Sequence, residues 1–139
     1  MPNKILNLLE NALNYYIEDN ILFVHGGYDP RNPIEYQPKK DLIWNRDLFF
    51  NAYYERAFRG REDNIGIYSK IFIGHTPTIN FKDKTTPMKI ANIINIDTGA
   101  SYDGPLTIMN IDTEEYWQSK PVCEYYSGYK SRGVYKTLK

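Results

Sequence analysis

Ile71-Phe72-Ile73-Gly74-His75-Thr76-Pro77 is a short apolar run closed by glycine, histidine and a proline break. Ile21-Leu22-Phe23-Val24-His25-Gly26-Gly27 repeats the arrangement. Apolar runs of this length, bounded by turn residues, read as buried strands. Glycine and proline then stop each strand and open a loop. The chain has two histidines, so both sit at the C-terminal tip of such a strand. Strand tips at the carboxyl edge of a sheet are where α/β proteins commonly place ligand groups. One metal site with two neutral imidazole ligands is the sharp expectation. Two separate hydrogen-bonded structural histidines are the bland one, and the pattern alone leaves both open.

Outward from these runs, residues 4–17 carry Ile5, Leu6, Leu8, Leu9, Ala12, Leu13 and Tyr16 at helical spacing. That spacing predicts one amphipathic helix ending at Asp19-Asn20. Residues 28–40 hold three prolines and read as a loop. Residues 41–58 predict a second helix, with Leu42, Ile43, Trp44, Leu48, Phe49, Ala52, Tyr53 and Phe58 on its apolar side. After His75, residues 80–88 read as a loop, 90–96 and 106–111 as strands, and Asp97-Thr98-Gly99-Ala100-Ser101 as a turn. Strands that follow one another without helices are expected to pair antiparallel. The fold class is therefore α+β, an N-terminal helix followed by mixed or antiparallel strands.

The 139 residues are enough for one domain with a buried core. Residues 1–119 form the candidate domain. Residues 120–139 form a basic, tyrosine-rich C-terminal extension, expected to pack in part through its tyrosines. The formal net charge is zero, which gives no electrostatic basis for a nucleic-acid partner. No apolar run is long enough to span a bilayer. Cys123 is the single cysteine, so no intrachain disulfide can form. These features point to a cytoplasmic protein without a membrane or nucleic-acid partner. The thirteen tyrosines favour half-buried surfaces and interfaces.

Arg46 stands in Ile43-Trp44-Asn45-Arg46-Asp47, where the second helix begins. A guanidinium beside a metal site is a bidentate clamp for a phosphoryl group. The plain alternative is a helix-start arginine paired with Asp47 or Glu55. Taken alone, Arg46 favours the plain alternative; the order of the motifs shifts the weight. Val-His-Gly-Gly, Ile-Trp-Asn-Arg-Asp, Ile-Gly-His-Thr-Pro and Asn-Ile-Asp-Thr-Gly-Ala-Ser-Tyr-Asp-Gly-Pro-Leu-Thr follow one another from His25 to Thr107. In that order they resemble the C-terminal half of the calcineurin-like metallophosphoesterases. The bacterial serine/threonine protein phosphatases resemble it most, with the symmetrical diadenosine tetraphosphatases nearby.

The resemblance implies the C-terminal half of an αββα sandwich and hydrolysis of phosphoesters. It implies two divalent metals sharing a bridging water, manganese first, with iron and zinc as alternatives. His25 and His75 become ligands of the second metal, and Arg46 holds the substrate phosphate. Imidazole suits first-row transition metals. A metal pair can activate water and neutralise phosphoryl oxygens. The implied partner is a phosphorylated protein or a small phosphoester. Tyr28, Tyr102 and Asp103 are candidates for the substrate mouth. Gly26 and Gly27 are expected to let the backbone bend tightly at the metal. Asp97 is expected to tie its own loop rather than bind metal.

The chain departs from the family in one respect. Asp-x-His, Gly-Asp-x-x-Asp-Arg-Gly and Gly-Asn-His-Glu/Asp segments supply the first metal's ligands, the bridging carboxylate and the leaving-group acid. None occurs here. The expectation is a fragment that binds metal weakly or not at all, is inactive alone and self-associates through uncovered apolar surface. Two readings stand beside a phosphoprotein phosphatase: a non-catalytic scaffold or partner-binding module, and a dinucleoside tetraphosphate hydrolase.

Overall fold

The computed structural model describes residues 3–81, 85–126 and 128. Helix α1 covers Asn3–Glu10, and strands β1 (Tyr15–Glu18) and β2 (Ile21–Val24) pair antiparallel. The expected helix over 4–17 therefore stops early. Tyr15, Tyr16 and Ile17 are aromatic and β-branched, types that favour a pleated strand. Asp19 and Asn20 both take left-handed φ, 47° and 63°. A two-residue loop with both centres left-handed matches the twist of a hairpin. The hairpin pairs four residues with β2, which outweighs the amphipathic spacing.

Helix α2 (Lys39–Trp44) and helix α3 (Asp47–Arg59) replace the single helix expected over 41–58. Asn45 is extended (φ −62°, ψ 127°), and its side-chain oxygen accepts the Leu48 N–H at 3.1 Å. Asparagine competes for backbone donors in this way and so breaks a helix more readily than it continues one. The break turns Trp44 and Phe58 outward, 62% and 78% exposed, although the pattern placed both on the apolar side. The loop expected over 28–40 contains one 3-10 turn at Ile34–Tyr36 and ends where α2 begins.

Strands β3 (Lys70–Ile73), β4 (Met88–Ile90) and β5 (Ile93–Asn95) complete a five-stranded sheet of order β1-β2-β3-β5-β4. Its three middle strands run parallel, and β1 and β4 are antiparallel edges. The loop expected over 80–88 thus gives up its end to β4, and residues 82–84 lie outside the described residues. Strands β6 (Thr107–Met109) and β7 (Tyr116–Gln118) form a separate antiparallel pair. The class is α+β with a mixed sheet. In the C-terminal extension only a short helix, α4 (Val122–Tyr125), is described, with Tyr125 and Tyr126 exposed. Its later lysines, arginine and tyrosines lie outside the described residues.

Side chains alternate across a strand, so the sheet has two distinct faces. Leu22, Val24, Ile71, Ile73 and Ile93 face α3 and join Leu48, Phe49 and Ala52 in one core. Phe49 is fully buried and meets Phe81 edge-on at 5.3 Å. The opposite face carries Tyr16, Phe23, Phe72 and Ile94. Phe23 and Phe72 stack at 5.2 Å. The β6–β7 unit ties to the β3–β5–β4 side of this face through the Lys70 ammonium, which donates to the Ile111 carbonyl at 2.7 Å. Glu114 reinforces the tie by pairing with both Lys70 and Lys89. Phe72 and Ile94 are accordingly buried, whereas Tyr16 stays 47% exposed. Five apolar residues of α1 and its following turn, Ile5, Leu6, Leu8, Leu9 and Leu13, are exposed as well. No helix among the described residues is long and apolar enough to cross a membrane.

Candidate functional site

Because β2 and β3 are parallel neighbours, their C-terminal ends reach the same edge of the sheet. His25 and His75 follow those ends directly. The Gly74 N–H donates to the His25 carbonyl at 2.8 Å, so the two turns are bonded to each other. The imidazole rings lie 5.2 Å apart at 54°. This meeting of the two histidines is the pairing expected from matching strand tips.

The two positions are not equivalent. His25 is exposed, and His75 is partly buried. His75 takes φ 61°, in the left-handed region, and the Thr76 N–H closes a three-residue turn onto the Gly74 carbonyl at 2.6 Å. A non-glycine residue held so costs on the order of 1–3 kcal/mol and persists only where its surroundings enforce it. Here the Arg46 guanidinium donates through Nη1 to the His75 carbonyl at 2.8 Å and approaches Thr76 Oγ1 at 3.5 Å. Trp44 meets the His75 ring edge-on at 5.0 Å. His75 Nε2 is buried and has no hydrogen-bond partner. Burial, then the charge of Arg46, then His25, push the His75 pKa down to about 4. The ring is therefore neutral at neutral pH, with a buried lone pair or N–H left unsatisfied.

Arg46 ends up where the break between α2 and α3 puts it. A continuous helix would have carried its side chain elsewhere on the helix surface. Its described bonds go to the histidine turn rather than to Asp47 or Glu55, and Glu55 pairs with Arg59 at 2.8 Å instead. Gly26 contributes by close approach rather than by an unusual φ. A Cβ there would lie 2.6 Å from the Ile43 carbonyl oxygen, and the Gly26 N–H donates to the Leu42 carbonyl at 2.8 Å. Gly27 likewise faces Leu48 Cβ at 3.1 Å. Both glycines admit α2 and α3 to the His25 turn, which replaces the bend expected of them.

A cleft of ≈ 520 Å³ contains both histidines and Asp97 and runs onto the open sheet face at Tyr16, Phe23 and Leu106. Asp97 accepts the Gly99 N–H at 3.0 Å, a local loop tie. Tyr102 and Asp103 lie on the turn after β5, half-buried and exposed respectively, and neither lines this cleft. Tyr28 is also outside it. Its ring is buried against Tyr68, and it borders a separate polar cleft of ≈ 610 Å³ with Asp29, Asp41, Asn45 and Asp47. Pattern reading missed two residues of the site, Trp44 and Asn95. Trp44 carried a signal in its place beside Asn45-Arg46. Asn95 showed as one of two asparagines in the isoleucine-rich run 90–96.

Among the described residues, no three or more His, Cys, Asp or Glu side chains gather as a metal site would require. The pair His25 and His75 fits part of one: two adjacent imidazoles, one neutral and with an unsatisfied buried nitrogen. Compared with models of protein families and with curated proteins, the chain matches none.

Proposed function

We propose that this chain contributes the two-histidine side of a binuclear metal centre for phosphoester hydrolysis, in a calcineurin-like αββα arrangement. The observation that carries the reading is the bonded pair of strand-tip turns, with His75 Nε2 buried and unsatisfied and Arg46 alongside. His25 and His75 would hold one divalent metal, manganese first, with zinc or iron as alternatives. Bound there, the metals supply Lewis-acid activation of water and neutralise phosphoryl charge. Carboxylate and asparagine ligands then come from residues outside these 139, on a segment that covers the open face at Tyr16 and Phe23. That face leads directly into the histidine cleft, so one docked segment would both cover it and reach the metals.

Arg46 binds the substrate phosphate. Nη1 holds the His75 carbonyl, and a guanidinium has five N–H donors, so the remaining ones are available to an oxyanion. A phosphoprotein is the favoured substrate class and a dinucleoside tetraphosphate the alternative. A partner-binding module is the second functional reading, favoured by the exposed aromatic face and by Tyr125 and Tyr126.

The test compares the 139-residue chain with a longer protein that carries the three missing motifs. The longer protein should hydrolyse p-nitrophenyl phosphate with manganese, and His25→Ala or His75→Ala should each nearly abolish turnover. The short chain should be inactive and sediment as a dimer or larger species. Full activity in either histidine variant removes the metal assignment. Turnover by the short chain, or a monodisperse monomer at tens of micromolar, removes the incomplete-site reading.

A further inference from the structure

We infer that Asn95 is a positioning residue that holds His75 in its unusual backbone conformation and so aims the imidazole. This rests on the reading of His75 as a metal ligand. Asn95 is the last residue of β5, fully buried on the core side of the sheet, across from Ile73. Its strand neighbours are isoleucines, and a β-branched apolar residue would suit a buried strand position better than an amide. A buried amide is tolerated only when its groups are bonded. Both of its functions are used. Nδ2 donates to the Thr76 carbonyl at 2.7 Å, and Oδ1 accepts the Asp97 N–H at 3.1 Å. One side chain thereby clamps the histidine turn to the turn after β5.

The clamp acts on the residue next to His75, where the backbone reverses. Arg46 holds the His75 carbonyl from the α3 side, and Asn95 holds the Thr76 carbonyl from beneath the sheet edge. His75 is fixed on its N-terminal side by Gly74, whose N–H donates to the His25 carbonyl, and on its C-terminal side by the two held carbonyls, so it cannot relax into the extended region without breaking one of these bonds. Asn92 provides the contrast. It is also a buried asparagine, but its amide bonds to Ile65 and Tyr68, in a loop that does not carry a histidine.

The experiment uses the 139-residue chain and the resonances of its two imidazoles, assigned with His25→Gln. Asn95→Asp keeps an acceptor for Asp97 but sets a carboxylate against the Thr76 carbonyl. Asn95→Ser removes the reach without adding charge. Thr98→Val is the control: Thr98 is equally buried but bonds to Pro105 and Thr107, not to the histidine turn. Both Asn95 variants should lose the through-space contact between the Trp44 and His75 rings, and Thr98→Val should keep it. Zn2+ should shift the imidazole resonances of the parent chain, with an apparent affinity reduced about 10–100-fold in the Asn95 variants. An unchanged Trp44–His75 contact in a folded Asn95 variant overturns the assignment. Collapse of the whole sheet in both variants also overturns it, because Asn95 would then serve the fold rather than the histidine. If Zn2+ leaves the parent imidazoles unmoved, the 139-residue chain alone holds no metal, as its missing ligands allow, and the ring contact decides the role of Asn95.

Discussion

Lowering the pH of the metal-free chain from 6.5 toward about 5 should destabilise it through His75, before the carboxylate of Glu114 begins to lose its own contribution. Protonation places a charge on a ring whose Nε2 is buried without a partner and which lies beside the Arg46 guanidinium. The pKa falls from 6.5 to about 4. The unfolded chain therefore binds one more proton than the folded chain between those values, and stability rises with pH across that window. The His75 contribution is fully present above about pH 6.5 and is lost as pH falls toward 4. At about 1.4 kcal/mol per pH unit the shift corresponds to about 3 kcal/mol. Solvent reaches part of the ring, and screening reduces the expected loss to about 1–2 kcal/mol. Urea unfolding with a chelator present, repeated from pH 7.5 to 4, measures it. His75→Gln carries no titrating group and should lose the His75 part of the slope, while His25→Gln should keep it. A slope that is the same in His75→Gln and the parent, or direct titration of His75 near 6.5, would refute the reasoning.

Two further substitutions test how the turns are built. Gly26→Ala sets a Cβ against the Ile43 carbonyl, which is backbone and cannot rotate away, so α2 must shift. Overpacking of this kind should cost about 1–3 kcal/mol in chemical denaturation, and a loss below about 0.5 kcal/mol would deny the close approach. Asn20→Gly should stabilise the chain by about 0.5 kcal/mol, as the left-handed penalty at φ 63° is removed and partly offset by glycine's extra chain entropy. Clear destabilisation by Asn20→Gly in thermal unfolding would argue against the hairpin.

The histidine strands were legible because each is a local event. A short apolar run and the glycine or proline after it define both the strand and its end, and parallel pairing then brings the two ends together. The elements around them depended on choices that periodicity does not resolve. Tyr16 satisfies helical spacing, yet it pairs with β2 along with Tyr15 and Ile17 because Asp19-Asn20 can close a tight left-handed loop. Residues 41–58 read as one helix until Asn45 diverts its side chain to the Leu48 N–H. Met88–Ile90 is too short to stand out from the polar residues before it and becomes a strand only because Ile93–Asn95 is there to pair with. Tyr28 is a mouth candidate in the sequence, at the start of the loop expected over 28–40. The chain turns inward after Gly27 and packs its ring on Tyr68 instead.

Arg46 shows how the misread helix and the histidine turns are connected. Sequence allowed a phosphate clamp or a surface ion pair. The structure gives it a third task, holding the His75 carbonyl, and that task exists only because the helix breaks one residue earlier. The consequence separates two substitutions that charge alone would treat as similar. Arg46→Ala removes the carbonyl bond and the phosphate charge together, so in the complete site it should weaken both the histidine turn and phosphate binding. Arg46→Lys keeps a cation and can donate to one acceptor, but it lacks a planar fork able to serve the turn and an oxyanion at once. Arg46 thus braces the turn that carries His75, and after burial its charge is the next cause of the lowered His75 pKa. These effects have a common origin in the extended conformation of Asn45, which directs the Arg46 side chain toward the strand tips.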